Sequence, residues 1–302
     1  ATPAVPPTAT AAPTQASARP TPAVAAATST IAPPRATPSA ATGARGPLTI
    51  FAASSLTDAF AAMRDGFARA NPDVAITINF NASSELKAQL EQGARADLYA
   101  PADLPQMTGA RGKGLIAGEP TIFANNRLAI IVPADNPGKI AAPQDLGRPG
   151  TKLIVAAAYV PIGGYARLLL ARMAGDPAYG QAFYRQALAN IASEELNTRA
   201  VVARIALGEG DAGIVYASDV TPAVRDRVAV IPLPEELQII AQYPIALVGG
   251  AANEPAARAF IAYVLSDEGQ AILRQWGFLP VPPKGGRARP APQLARGTGG
   301  TT

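Results

Sequence analysis

The 302-residue chain contains no cysteine and no histidine. Lack of cysteine rules out a disulfide framework and a thiolate nucleophile; lack of both rules out the usual zinc sites and a Ser-His-Asp triad. Most common hydrolase mechanisms are thereby excluded. Long apolar runs are missing too: no stretch approaches the roughly 18 to 20 residues that cross a bilayer. No segment has the basic start and apolar centre of a signal peptide, so an exported chain of this sequence would be the mature form.

Acidic residues are absent from both ends. In residues 1–46, 34 positions are Ala, Pro or Thr. Such a composition cannot bury enough surface to offset its ordering entropy, and it predicts a disordered, semi-extended tether. Residues 282–302, "PPKGGRARPAPQLARGTGGTT", predict a disordered basic tail. These ends hold seven of the 26 basic side chains and none of the 22 acidic ones. The sequence pI of about 9.5 therefore conceals a central region, 47–281, with a formal charge of −3. That balance argues against a nucleic-acid partner. A Pro/Thr/Ala tether suits a domain held off a membrane or cell wall, and lack of cysteine suits an oxidising compartment. The expectation is an exported protein, periplasmic or tethered to the outer face of the cytoplasmic membrane, and hence a lipoprotein candidate.

Hydrophobic residues make up 48% of the chain, enough for a substantial core. Strand patterns at 48–53, 74–80 and 97–102 alternate with helical spacing at 55–70 and 84–92. A second unit follows, with strands at 127–133, 152–158, 212–219, 228–233 and 243–249, and helices at 163–173, 177–188 and 198–207. Two consecutive helices close the chain, broken near Ser266 and Asp267. The alternation predicts an open α/β sheet, mostly parallel, with a ligand site at the carboxyl ends of its strands.

Two strand-to-helix junctions carry a serine doublet, "FAASSLTDAF" and "FNASSELKAQL". A helix start leaves backbone N–H groups unpaired, and a serine there is most often a cap. Ser55 with Asp58 has capping-box spacing, and Ser83 or Ser84 precedes Glu85 in a first turn. Two such junctions on neighbouring strands also place hydroxyls, free N–H groups and small residues side by side. That arrangement suits a small, fully deprotonated oxyanion, which accepts hydrogen bonds and offers none. A rival reading is a Ser-Lys hydrolase, because Ser84 and Lys87 have the S-x-x-K spacing of penicillin-recognising enzymes. Its companion motifs are missing: "ASDV" is not S-D-N, and "KGG" at 284–286 lies in the tail.

Five segments, "LTIFAASSLTDAF", "INFNASSELKAQLEQGARADLYAPAD", "VPIGGYA", "GDAGIVYASD" and "WGFLPV", resemble in order and spacing the molybdate-binding periplasmic proteins of ABC importers. The similarity covers 47–281. It implies a type II periplasmic-binding-protein fold: two α/β lobes of mostly parallel sheet with flanking helices, and an oxyanion in the cleft between them. The first lobe would comprise 47–125 and 241–281 and the second 126–240, with crossings near 123–127 and 238–243.

By the same resemblance, Ser55 and Ser83 bind the oxyanion through hydroxyl and backbone N–H, Ile162 and Thr198 through backbone N–H, and Tyr216 through its phenol. Ile162 is larger than the family's small residue, and "LNTR" around Thr198 departs from the acid-containing family version. Without the resemblance, Tyr216 reads equally well as a packing residue and "VPIGGYA" as an ordinary turn. The implied ligand is molybdate or tungstate, its metal held as the oxyanion with no direct protein ligand. No catalytic residue and no cofactor are expected. The implied partner is a membrane permease, and the protein is expected to be a monomer. Sulfate is an alternative ligand, and a sensory domain of a transcription regulator is an alternative role, although no DNA-binding helix pair precedes the domain.

Overall fold

The computed structural model describes residues 44–281. Of the tether expected over 1–46, residues up to 43 lie outside the described residues, as does the expected tail at 282–302, while Gly46 opens the first strand and Arg45 O accepts from Asn253.

In the first lobe each strand feeds a helix. β1 (Gly46–Ala53) is buried over its last four residues and passes through a 3-10 turn, Ser54–Leu56, into α1 (Thr57–Ala70). α1 turns Ala59, Phe60, Met63 and Phe67 inward, the spacing of a single apolar face. β2 (Val74–Asn81) pairs parallel to β1 and leads into α2 (Ser83–Glu91). β3 (Leu98–Ala100) lies on the other side of β1, also parallel. α3 (Leu104–Gly112) follows it, capped by Asp103, whose carboxylate accepts from Gln106 N at 2.8 Å.

β4 (Ile116–Pro133) carries the chain into the second lobe. There β5 (Leu153–Ala156) is followed by α4 (Pro161–Ala174) and α5 (Gly180–Ala189). β6 (Ile191–Glu195), α6 (Thr198–Ala206), β7 (Ala212–Tyr216) and β8 (Val228–Ile231) complete it. The chain returns through β9 (Ile240–Val248) to α7 (Glu254–Leu265) and α8 (Asp267–Gln275) of the first lobe. Ser266 makes the break between the last two helices, its hydroxyl accepting from Gly269 N.

Strand order is β2-β1-β3-β9-β4-β7-β5-β6, with β8 beside β4. The parallel pairings are β1 with β2 and β3, and β5 with β6 and β7. Every antiparallel pairing involves β4 or β9, so the sheet is mixed, where a mostly parallel one was expected. The reason is connectivity: the outgoing and returning strands run side by side in opposite directions. Asn125 to Arg127 of β4 face Gln242 to Ile240 of β9. A third segment joins there, because Asn125 and Leu279 exchange both backbone hydrogen bonds, at 3.0 and 2.8 Å. "WGFLPV" thus returns to the crossing between the lobes.

The cores differ in kind. In the first lobe Phe60 stands 5.6 Å from Phe123 and 5.9 Å from Phe260, with Phe67 5.4 Å from Phe260. These edge-on and tilted rings lock α1, α7 and β4 together. The core of the second lobe is mainly aliphatic, with Ile130, Ile154, Leu169, Leu170, Val201 and Ile214 buried beside Tyr216.

Candidate functional site

Five strand-to-helix junctions, after β1, β2, β3, β5 and β6, converge with the end of β7 on a small cavity. Ser55, Ser83, Ile162, Thr198 and Tyr216 all line it, and Ser54 joins them. All five side chains are less than 5% exposed. No charged side chain lines the cavity.

Neither serine is a helix cap. α2 starts after Ala82 with no side-chain cap, and the 3-10 turn before α1 starts the same way after Ala53. Ser83 Oγ instead accepts from Ala102 N at 3.0 Å, and its carbonyl accepts from the Tyr99 hydroxyl at 2.8 Å. A hydroxyl that accepts from a backbone N–H keeps its own hydrogen to give. Ser55 Oγ lies 3.0 Å from the Tyr243 hydroxyl, and both are buried. Asp58, the supposed capping-box partner of Ser55, pairs with Arg199 of α6 instead. Among the described residues this is the ion pair that joins the two lobes. Arg199 Nε also donates to Ser54 O at 3.3 Å, so the cation next to the cavity is already engaged.

On the second lobe the donors are set by helix starts. Pro161 opens α4, so Ile162 lies in the first turn, where N–H groups have no intrahelical acceptor. Its side chain is 1% exposed and belongs to the core, so a large residue is accommodated there. Gly163 is required next: a Cβ there would fall 2.0 Å from Ala157 O and 2.3 Å from Ala156 O. At α6, Asn197 caps by accepting from Ala200 N at 3.0 Å. Thr198 donates its hydroxyl to Asp219 Oδ2 at 2.7 Å, and as the first residue of α6 it has a backbone N–H with no intrahelical acceptor. The same oxygen accepts from Tyr216 N at 3.0 Å. Burial pushes the Asp219 carboxyl up to about 6, with those two hydrogen bonds opposing the rise. The Tyr216 hydroxyl is buried with no hydrogen-bond partner, and burial holds the phenol well above its ordinary value, so it stays a neutral donor.

The Ser-Lys arrangement does not assemble. Ser84 is outside the cavity lining, its Oγ is buried without a partner, and no hydrogen bond joins it to Lys87. The charge of Lys87 acts on Asp103 instead. Among the described residues no group of three or more His, Cys, Asp or Glu side chains is placed to hold a metal ion. A larger groove, about 500 Å³, lies at the opposite ends of β1 and β3. It contains none of the residues singled out, and its carboxylate, Asp97, is occupied by Thr49 N and Asn253 N.

Sequence reasoning missed Tyr243 and Asp219, which touch cavity residues from behind, and Asn126, which touches Tyr243. Asp219 had a signal in "YASD", three residues after Tyr216; Tyr243 and Asn126 belong to long-range contacts with none.

Residues 48–279 match the family described as bacterial extracellular solute-binding protein. The Molybdate-binding protein ModA of Mycobacterium tuberculosis is 37% identical over 245 residues, covering 81% of this chain and 89% of that protein. Among solved structures, the periplasmic molybdate-binding protein of Azotobacter vinelandii shares the fold at TM-score 0.66 and 18% identity, covering 78% of this chain and 99% of that one. The sulfate-binding protein SubI of M. tuberculosis does so at TM-score 0.71 and 21% identity, covering 80% and 88%. The chain belongs to the bacterial extracellular solute-binding protein family and, within it, groups with the molybdate-binding protein ModA.

Proposed function

We propose that the protein captures molybdate or tungstate in the cavity between its lobes, using neutral donors from Ser55, Ser83, Ile162, Thr198 and Tyr216. The observation that carries this reading is a fully buried, unpartnered Tyr216 hydroxyl in a cavity with no charged lining, among hydroxyls and helix starts. A dianion satisfies all of these donors at once, and helix N-termini favour its charge. Each charge-assisted hydrogen bond contributes about 1.5–3 kcal/mol. A protonated oxyanion such as hydrogen phosphate needs an acceptor, and the lining has no carboxylate. Sulfate is rejected by size, since a smaller tetrahedron leaves donors unsatisfied.

The metal arrives and leaves as its oxyanion, and the task is capture and release without turnover. Delivery is to a membrane permease of an ABC importer. The protein works outside the cytoplasm, in the periplasm or tethered to the outer face of the membrane. No helix among the described residues is long and apolar enough to cross a membrane.

Thermal melting with molybdate, tungstate, sulfate and phosphate tests the reading by linkage. Molybdate and tungstate should raise the melting temperature progressively with concentration, and sulfate and phosphate should not. Absence of a shift with either metal oxyanion would sink the proposal.

A further inference from the structure

Behind Ser55 stands a chain of buried polar groups that never reaches the cavity. Tyr243, on β9, places its hydroxyl 3.0 Å from Ser55 Oγ. Asn126, on β4 and fully buried, donates its amide nitrogen to the Ser218 hydroxyl at 2.8 Å and to the Tyr243 hydroxyl at 3.4 Å. An amide nitrogen can only donate, and a phenol has one hydrogen. With the Asn126 amide nitrogen turned toward Tyr243 Oη and its Oδ1 left without a partner, the phenol hydrogen is free to go elsewhere. The neighbouring phenol, Tyr216, interacts with Tyr243 but makes no hydrogen bond of good geometry to it. Ser55 Oγ is the acceptor that remains.

Resting on the reading of Ser55 as a ligand contact, we propose that Tyr243 is a positioning residue that fixes the direction of the Ser55 hydroxyl. By donating to Ser55 Oγ it turns the serine hydrogen into the cavity, where an oxyanion accepts it. Ser83 is set in the same sense by the N–H of Ala102. The two serines therefore reach the ligand with one lone pair filled and one hydrogen free, one arranged by backbone and the other by a phenol. Donation along such a chain also polarises each successive hydroxyl, which strengthens the last bond to the ligand.

A double-mutant cycle read by titration calorimetry with molybdate tests this. Tyr243→Phe keeps the ring and removes the hydroxyl. It should weaken binding about fivefold in the wild-type background, in the range of one hydrogen bond. The same loss should appear in the Ser83→Ala background and vanish in the Ser55→Ala background. The anion-free melting temperature, which a merely structural role would lower, should change little. Wild-type affinity in Tyr243→Phe, or an undiminished loss in the Ser55→Ala background, overturns the inference. If Ser55→Ala alone binds normally, the reading of Ser55 as a contact fails, and that outcome is seen separately. Should the bare ring not be tolerated, Asn126→Leu, of similar volume, removes the donor that sets the direction, and the same comparison of backgrounds applies.

Discussion

On the first lobe's side of the cavity the candidate donors are hydroxyls, Ser55 and Ser83; on the second lobe's side they are the backbone N–H groups of Ile162 and Thr198 and the Tyr216 phenol. The two kinds differ in what fixes them. A backbone N–H at a helix start is aimed by the helix itself, so the second lobe needs only a secure start: Pro161 for α4, the Asn197 cap for α6. A serine hydroxyl rotates freely and must be aimed by a neighbour. The first lobe supplies those neighbours, Ala102 N for Ser83 and Tyr243 for Ser55. Thr198 confirms the contrast from the other side, because its hydroxyl is spent on Asp219 and plays no part in lining up a donor.

The sharpest way to break that contrast is to remove a hydroxyl from the first lobe. Ser83→Ala should weaken molybdate binding about tenfold or more, the value of one charge-assisted bond, as measured by calorimetry. Unchanged affinity would leave the hydroxyls without a role and erase the difference between the lobes.

A medium effect is expected at Asp219, which accepts from the Thr198 hydroxyl and from Tyr216 N behind the cavity. Its carboxyl stands at about 6 in the folded protein against an ordinary 3.8, because burial disfavours the charge. The folded state therefore holds the proton more tightly than the unfolded chain. Asp219's contribution to stability is full below about 4 and is lost as pH rises through about 6. Asp219→Asn, which keeps an acceptor oxygen for Thr198 and Tyr216 N, should melt a few degrees above wild type at pH 8. The gap should close by pH 4. A gap of equal size at both pH values would mean that charge is not its cause.

The smallest effect is expected where the second lobe loses a hydroxyl. Thr198→Val keeps the backbone N–H and should change molybdate affinity by less than about twofold. A tenfold loss would make Thr198 a hydroxyl donor after all and level the two sides.

Much of this was legible along the chain. Strands that run at once into helices gave the α/β class, and the five residues carried over by resemblance line a single cavity. What stayed hidden has physical causes. "LPQMTGARG" forms α3 although Pro105, Gly109 and Gly112 disguise its periodicity; the Asp103 cap and packing of Met107 and Ala110 decide it. The first half of β4, "IAGEPTIFANN", reads as a polar loop because its residues lie at the crossing, partly open to solvent, and are held by pairing with β9. β6 alternates half-buried and exposed residues as an edge strand does, too short and too polar to announce itself. The partners behind the cavity are separated by up to 188 residues, as Ser55 is from Tyr243, and no local pattern records such a contact. Serine at a helix start pointed to capping, yet here the backbone spacing is kept and the hydroxyl serves another partner.

The crossing of the lobes has a mechanical consequence. At Asn125 the outgoing strand is flanked by β9 on one side and by Leu279 on the other, each through backbone hydrogen bonds. Two strands and a bridging segment side by side resist sliding and splaying, because either would break several bonds together. They yield to torsion, which bends each bond only slightly. A change in the angle between the lobes is therefore taken up as the winding and unwinding of one ribbon, a spring with a single soft direction. The amides of 125–127 and 240–242 should stay protected from exchange while the lobes rock, and the rims of the cleft, far from that axis, travel furthest.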